Sequence, residues 1–297
     1  TKFNLTQEQL KEKINACKEI LKQESKSRIM PGLDDKAITS WNAMMCTAYA
    51  KAYLSFGNKE YKDTCLSSIN FILNKLSNAD GTLLRTYKNG KAKIDAFLDD
   101  YAFTIEALQH VYLITQDEDY LVKAKSLTEL ALQQFENPKS ELLYYTNNSS
   151  SQLVARTSEI SDNVIPASNS QMALNLFYLG TYFGNENWTK KAQKMLNCVA
   201  VELKEYGPGY SNWGCLALHL VFPFKELAIV GKHVDEKLLA LYQQGITNAI
   251  LAVSATDSAL PLTSNRFNPQ KTMIYVCENH ACKQPVESVE EALMQLE

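Results

Sequence analysis

Paired aspartates recur along this 297-residue chain and are the residues best suited to chemistry. Asp34 and Asp35 form the first pair, Asp99 and Asp100 form the second, and Asp162 begins a looser third occurrence. The intervals are about 60 residues, a regularity that indicates a structural repeat. Carboxylates gathered at one place suit general acid–base catalysis on a polar substrate, or hydrogen bonding to sugar hydroxyls. We therefore predict all five as catalytic residues.

A structural role is the alternative for each aspartate. An aspartate at the start of a helix accepts hydrogen bonds from free backbone N–H groups and complements the helix dipole. One carboxylate is enough for that purpose, so the doubling at Asp34–Asp35 and Asp99–Asp100 exceeds what capping requires. The sequence leaves capping and catalysis open for any single aspartate.

Aromatic, amide and hydroxyl side chains beside the aspartates are candidates for substrate binding. Indole and phenol rings stack on sugar rings, and amides and hydroxyls hydrogen-bond to sugar hydroxyls. The predicted substrate-binding residues are Trp41, Asn42, Tyr101, Pro166, Ser168 and Asn169. Core packing is the alternative for aromatics, and it is favoured for Tyr61, Tyr120 and Trp188, which recur at equivalent places.

Other kinds of site have little support in the sequence. Cys277, His280 and Cys282 offer three ligands for a metal, whereas a structural zinc site requires four. Thiol redox chemistry between the two cysteines is equally unsupported by the pattern. The chain has only four histidines, and His110 lies on an apolar helical segment that favours a structural role. No phosphate-binding loop is present, so we predict neither a metal nor a cofactor.

Helical hairpins must position these residues. Three pairs of segments carry apolar residues at helical spacing, and a short polar turn joins each pair, as expected of antiparallel helices. The outgoing stripes contain Trp41, Met45, Ala48 and Ala52, then Tyr101, Ile105, Leu108 and Tyr112, then Met172, Leu176, Leu179 and Phe183. Because outgoing helices of such an array all start at one end, their aspartates should form one rim.

The loops and the chain ends complete the predicted organisation. Similar loops follow the first two return helices at 78–85 and 137–144, and Asn89-Gly90 predicts a β-hairpin turn. A helix over about 5–24 begins with a Thr6/Gln9 capping box. The C-terminal part carries short apolar runs at 226–231, 250–253 and 272–277 that are typical of buried strands, with helices over about 235–243 and 286–296. We predict a helical-hairpin domain over 1–222 and a small α/β appendage over 223–297.

Composition limits the functional classes. The net charge of −3 provides no basic surface for nucleic acid or an acidic membrane, and no segment is long and apolar enough to span a bilayer. Seven cysteines, mostly spread singly along helical segments, favour reduced thiols and a cytoplasmic protein over a disulfide framework.

Four motifs in the expected order carry a family resemblance. They are Leu33-Asp34-Asp35-Lys36 with Thr39-Ser40-Trp41-Asn42, Leu98-Asp99-Asp100-Tyr101-Ala102, Ile165-Pro166-Ala167-Ser168-Asn169-Ser170, and Tyr275-Val276-Cys277-Glu278-Asn279 with Cys282 and Pro285. From about residue 30 onward, the chain resembles the C-terminal part of the thioredoxin-domain-containing YyaL / spermatogenesis-associated protein 20 family. That family has an N-terminal thioredoxin-like domain followed by an (α/α)6 toroid, which is similar to N-acylglucosamine 2-epimerases and six-hairpin glycosidases.

The resemblance implies a mainly α fold and a carbohydrate-processing function. The fold would be a helical-hairpin array of the (α/α)6 toroid type, incomplete here because the chain has too few long helices for twelve. The function would be epimerase-like or glycosidase-like, although the paired histidines of epimerases are not matched. The alternative is a non-catalytic binding module that works with a thioredoxin-like domain. An incomplete toroid would also expose an apolar flank and favour self-association.

Overall fold

The computed structural model describes residues 4–149, 155–278 and 281–296. Contacts divide the chain into two compact units, Thr1–Lys36 and Ala37–Glu297. The first unit contains helix α1 (Gln7–Lys26), which begins with the predicted reciprocal capping box between Thr6 and Gln9 and has no buried residue. Its apolar stripe is therefore solvated within the described residues, and no packing energy from a core supports this helix.

Three helical hairpins of the second unit form an inner and an outer layer. The inner helices are α2 (Thr39–Phe56), α4 (Leu98–Thr115) and α6 (Ser168–Phe183), and the outer return helices are α3 (Lys59–Lys75), α5 (Asp119–Gln134) and α7 (Glu186–Asn197). Short helices α8 (Ala200–Glu205) and α9 (Ser211–Val221) follow. The predicted mainly α hairpin array is confirmed.

The inner helices run parallel to one another. At their starts, the Ser40 N–H of α2 donates to the Asp100 carboxylate of α4. Toward their ends, the rings of Tyr112 on α4 and Tyr182 on α6 lie edge to face at 5.6 Å. Helices α2 and α4 start side by side, and α4 and α6 end side by side. The prediction that the outgoing helices run in the same direction is therefore confirmed.

Helices α4 and α6 are more completely buried than α2. Leu98–Thr115 and Ser168–Phe183 are buried on nearly every side. Helix α4 is enclosed by α2, α6 and its return helix α5, and α6 is enclosed by α4, α9 and its return helix α7. In α2 the predicted core stripe was wrong, since Trp41 is 60% and Met45 is 52% exposed. The face that packs on α3 and α4 carries smaller side chains, among them Ala43, Cys46 and Ala50. Small residues allow close helix contact, and Trp41 and Met45 lie on the exposed flank of α2, which is called its outer flank below.

Two small sheets complete this unit. Strands β1 (Ala37–Ile38), β2 (Leu84–Lys88) and β3 (Lys91–Asp95) pair antiparallel, with the predicted turn at Asn89-Gly90 in the left-handed region. The C-terminal sheet has the order β5 (Ala249–Ser254), β4 (Lys225–Val230), β6 (Met273–Glu278) and β7 (Ala281–Cys282). Its parallel β4–β5 pair is connected through α10 (Val234–Tyr242), and α11 (Val289–Met294) ends the described chain.

The C-terminal sheet packs directly against the inner helices. The Tyr112 hydroxyl donates to the Val253 carbonyl at 2.9 Å and accepts from the Val253 N–H at 2.8 Å. The Tyr182 hydroxyl donates to the Leu251 carbonyl at 2.7 Å. These buried hydrogen bonds fix β5 across α4 and α6, so the strand region closes one side of the space between the inner helices.

Two further observations bear on the predictions from composition. Cys277 and Cys282 form a disulfide, so the expectation of reduced thiols was wrong for this pair. Cys46 and Cys65 are buried free thiols, and Cys17, Cys198 and Cys215 are exposed ones. In the described part of the chain, none of the helices has the length and apolarity required to cross a bilayer.

Candidate functional site

Asp99 and Asp100 lie together at the start of α4 with one cation between them. The Arg85 guanidinium, presented by β2, lies 2.8 Å from Asp99 Oδ1 and 2.9 Å from Asp100 Oδ2. Asp100 also accepts from the Ser40 N–H and from the Phe97 N–H, each at 2.9 Å. Its carboxylate is fully buried and has three donors, which is the environment of a helix cap and a cross-link.

The electrostatics of this cluster favour a proton on Asp100. Burial and the neighbouring Asp99 raise the pKa of Asp100 to about 7, against the opposing effects of Arg85 and the two backbone N–H groups. A carboxyl that titrates near neutral pH has the acidity of a general acid. Its burial nevertheless leaves no described surface on which a substrate can reach it.

Asp162 and Asn169 hold the start of α6. Asp162 accepts from the Ala167 N–H and the Ser170 hydroxyl through one oxygen, and from the Asn212 N–H through the other, all at 2.8 Å. The Asn169 amide accepts from the Leu143 N–H and donates to the Leu143 and Glu159 carbonyls. Both side chains are occupied by backbone partners, as expected of structural residues.

The remaining predicted residues are dispersed. Tyr101 is 1% exposed, and its ring packs edge to face on Phe135 in the core. Ser168 is buried, Pro166 is half-buried, and the half-buried Asn42 donates to the carbonyl of Ile38, the residue just before its own helix. Trp41 is exposed on the flank of α2. Tyr101 and Trp41 therefore do not form one platform, because one ring is enclosed and the other is open.

Asp34 and Asp35 belong to the first unit and are exposed. Asp34 pairs with Lys36 at 3.2 Å. The structure thus brings Asp99 and Asp100 together directly and places Asp162 at the start of a neighbouring inner helix. These positions explain the repeated aspartates of the second unit as supports for helix starts.

A cavity of about 530 Å³ lies among the inner helices and the C-terminal segment. The segment between α10 and β5 forms part of its wall, together with side chains of α2, α4, α6 and α9. Its polar lining residues include Lys51, Glu106, Gln109, His110, Gln171, Tyr178 and Asn212. A cavity of this volume with a few convergent polar groups is typical of a small-molecule site.

His110 provides the cavity with a defined acceptor. Its Nδ1 lies 3.0 Å from the Glu106 carbonyl oxygen, which can only accept, so Nδ1 carries the proton. Burial and nearby Lys51 lower the pKa of His110 to about 4, despite Glu106. The imidazole is therefore neutral at pH 7, and its Nε2 has a lone pair with no hydrogen-bond partner among the described residues.

Two hydrogen-bonded networks of side chains hold other polar residues of the cavity in place. Asn175 accepts from Gln109 and Gln171, each at 3.1 Å, and donates to the Ala102 carbonyl at 2.7 Å. On the other side, the Tyr178 hydroxyl lies 2.7 Å from His219 Nε2, and His219 Nδ1 lies 2.7 Å from the Asn248 side-chain oxygen. Because that oxygen accepts, His219 donates from Nδ1 and Tyr178 donates to Nε2.

A larger groove of about 690 Å³ lies on the outer layer between α5 and α7. Glu136 and Glu141 are its acidic lining residues, and Glu141 is paired with Lys191 at 3.0 Å and Lys194 at 3.3 Å. We favour the inner cavity as the site because its charged and amide groups converge on one space between the inner helices. In the described ranges, no group of three or more His, Cys, Asp or Glu side chains is arranged to hold a metal ion.

The inner cavity was not predicted from the sequence. His110 was interpreted as structural because it follows Leu108 on an apolar segment. The usable signal was the polar set Glu106, Gln109 and His110, which lies in a helix whose other residues after the first turn are mostly apolar. Three polar residues on one side of a buried helix indicate a wall that faces an internal cavity.

Solved structures give a partial likeness to this chain. A family GH76 α-mannanase of Bacteroides thetaiotaomicron has a TM-score of 0.49 at 15% identity, covering 59% of this chain and 46% of its own. The cellobiose 2-epimerase of Bacillus thermoamylovorans has a TM-score of 0.46 at 15% identity over 55% and 44%. A D-mannose isomerase has a TM-score of 0.45 at 18% identity over 54% and 40%.

Curated sequences match nearly the whole chain, whereas no model of a known protein family matches it. An uncharacterized protein of Caenorhabditis elegans is 26% identical over 313 residues, which cover 98% of this chain and 42% of the relative. Spermatogenesis-associated protein 20 of Homo sapiens is 25% identical over 307 residues, which cover 96% and 39%. The chain spans about two fifths of the length of these relatives. It is therefore a homologue of spermatogenesis-associated protein 20 over almost all of its own length, and the resemblance predicted from its motifs is confirmed.

Proposed function

We propose that the second unit binds a small sugar or sugar derivative in the cavity between the inner helices and the C-terminal segment. The volume of about 530 Å³ accommodates a ligand of that size. Gln109, Gln171 and Asn212 supply amides, and Tyr178 and Tyr242 supply phenol rings. Amides pair with hydroxyls in both directions, and ring faces suit the C–H faces of a sugar.

The observation that carries the proposal is the state of His110. The hydrogen bond to the Glu106 carbonyl fixes the tautomer, and the lowered pKa keeps the ring neutral, so that Nε2 is an acceptor at physiological pH. In the bound complex, this nitrogen accepts a hydrogen bond from a sugar hydroxyl. It is also the group able to take a proton from a carbon next to a carbonyl, the step that begins epimerisation or isomerisation of an open-chain sugar.

The carboxylates distinguish the two predicted reaction classes. Glycoside hydrolysis generally uses two carboxyl groups about 5–10 Å apart on either side of the scissile bond. Glu106 is the only carboxylate among the described lining residues, and it is paired with Lys51 at 3.3 Å. Asp99 and Asp100 are enclosed by Arg85 and backbone donors. We therefore propose epimerase-like chemistry rather than glycosidase chemistry.

The test uses D-mannose and D-glucose as probes with the full chain. Saturation-transfer NMR measures binding, and incubation in D₂O measures exchange of the hydrogen at C2. We expect both signals in the wild-type chain. His110→Asn keeps an N–H for the Glu106 carbonyl and removes the Nε2 acceptor, so exchange should fall by about 100-fold or more.

His233→Asn is the matched control, because His233 is exposed and does not line the cavity. Exchange that survives His110→Asn unchanged would exclude His110 as the base. Binding that is lost on His110→Asn, without exchange in the wild type, would support the alternative function, a non-catalytic module that works with a thioredoxin-like domain. Absence of binding by either sugar would contradict the assignment of these two sugars to the cavity.

A further inference from the structure

The Cys277–Cys282 disulfide joins strands β6 and β7 at the edge of the C-terminal sheet. The two cysteines are direct partners in the antiparallel register. Cys277 is 2% exposed, whereas Cys282 is exposed. An incoming reagent can therefore approach the Cys282 sulfur from solvent while the Cys277 sulfur lies behind it.

Arg266 places its positive charge against both sulfur atoms. Its Nη1 lies 3.8 Å from Cys277 Sγ, and its Nη2 lies 3.3 Å from Cys282 Sγ. The guanidinium carbon lies 4.5 Å from the centre of the Tyr275 ring, so the Arg266 guanidinium packs over the face of that ring. A neutral disulfide gains little from a cation, whereas a thiolate is strongly stabilised by one.

Other charged groups near the disulfide lie on β4 and β6, and Lys283 directly follows Cys282 with its ammonium donating to the Gln295 carbonyl. Glu226 is the register partner of Cys277 and interacts electrostatically with Arg266. Lys225 and Glu278 are register partners and form an ion pair, so their charges largely offset each other. In the described part of the chain, Arg266 is the one charged side chain within hydrogen-bonding distance of the sulfurs.

A purely structural role explains this arrangement less well. The cysteines are five positions apart, and a disulfide that closes so short a loop restricts the unfolded chain less than one that closes a long loop. The two strands are also already paired through backbone hydrogen bonds. Neither the closing of a short loop nor the pairing of the strands explains why the Arg266 guanidinium contacts both sulfur atoms.

We propose that Cys277–Cys282 is a thiol–disulfide exchange site whose reaction partner is a dithiol. A thiolate of the partner attacks Cys282 Sγ, forming a mixed disulfide and releasing Cys277 as a thiolate beside Arg266. The second thiolate of the partner then attacks the partner sulfur of the mixed disulfide and releases the Cys282 thiolate. The partner becomes a disulfide, and two electrons reduce the Cys277–Cys282 pair to two thiols.

The experiment uses dithiothreitol as the dithiol and the oxidised full chain. Aliquots are quenched by alkylation, and peptide mass spectrometry follows Cys277 and Cys282 separately from the free thiols. Arg266→Met removes the charge at similar length, and it should slow reduction by about 10-fold because the leaving thiolate loses its cation. Arg266→Lys keeps a positive charge and should stay within about threefold of the wild type.

A second measurement requires no variant. After reduction, iodoacetamide should alkylate Cys282 at a lower pH than it alkylates Cys17, an exposed free thiol of the same chain. Equal reduction rates for Arg266→Met and the wild type, together with equal alkylation profiles for Cys282 and Cys17, would overturn the proposal. A thermal melt of each variant shows whether a change in rate reflects loss of folding.

Discussion

The backbone N–H of Ser40, in the first turn of α2, donates to Oδ1 of Asp100, in the first turn of α4, at 2.9 Å. This bond joins residues 60 positions apart and ties the starts of two neighbouring inner helices. The other oxygen of Asp100 binds Arg85 and the Phe97 N–H. One carboxylate therefore connects two hairpins and the β2 strand, which explains its complete burial.

We predict that Asp100 is important for stability. Asp100→Ala removes the acceptor for three donors and leaves the partly buried Arg85 with one carboxylate, so it should lower the free energy of unfolding by about 3–5 kcal/mol. Urea unfolding measures this value. Asp95→Ala is the control, because Asp95 is exposed and should change stability by about 0.5 kcal/mol or less. A loss below about 1 kcal/mol for Asp100→Ala would contradict the structural role.

The pH dependence of stability should reveal the raised pKa of Asp100 and the effect of the neighbouring Asp99 charge on it. Because the pKa of Asp100 is raised to about 7 in the folded chain from an ordinary value of 3.8, the folded state holds this proton to higher pH. Its contribution is complete below about pH 4 and is lost as the pH rises toward 7. Asp99→Asn removes the neighbouring charge, so the decline between pH 4 and 7 should become shallower. Asp95→Asn should leave the slope unchanged, and a slope insensitive to Asp99→Asn would refute this explanation.

Tyr178 should couple the cavity to His219. Tyr178→Phe removes the hydrogen bond to His219 Nε2 and leaves that nitrogen without its donor, which should cost about 1–2 kcal/mol of stability. If a sugar occupies the cavity, its dissociation constant should also increase, because Tyr178 lines the site and the hydrogen bond to His219 holds its ring in place. Calorimetry and urea unfolding measure the two effects. Tyr206→Phe is the matched control, since Tyr206 is 64% exposed and should be neutral in both; equal behaviour of the two variants would count against the coupling.

The outer flank of α2 should promote self-association. Trp41 and Met45 are 60% and 52% exposed on neighbouring turns, and such an apolar patch favours contact with another surface. Light scattering at increasing concentration should show a larger mass for the wild type than for the double variant Trp41→Ser/Met45→Ser. Met294→Ser, at another exposed apolar site, should behave like the wild type. A concentration-independent monomer for the wild type would show that this prediction is wrong.

Local patterns were sufficient to predict the elements of the fold. Helical spacing predicted the three hairpins and the C-terminal helices, and Asn89-Gly90 predicted a turn that the structure places in the left-handed region. The Thr6/Gln9 capping box also appears as predicted. These features depend on hydrogen bonds and side-chain periodicity within a few residues, which the sequence contains directly.

The hairpin array, the C-terminal strands and the shared direction of the outgoing helices follow from the sequence alone. The tertiary structure decided which face of α2 is buried and whether an aspartate supports a helix or faces a cavity. It also decided that Glu106, His110 and Tyr178 line one space, and that Arg266 lies against the disulfide. The physical reason is that burial and the burial-induced shifts in pKa arise from neighbours distant in sequence, and those neighbours exist only once the helices and the C-terminal sheet have packed.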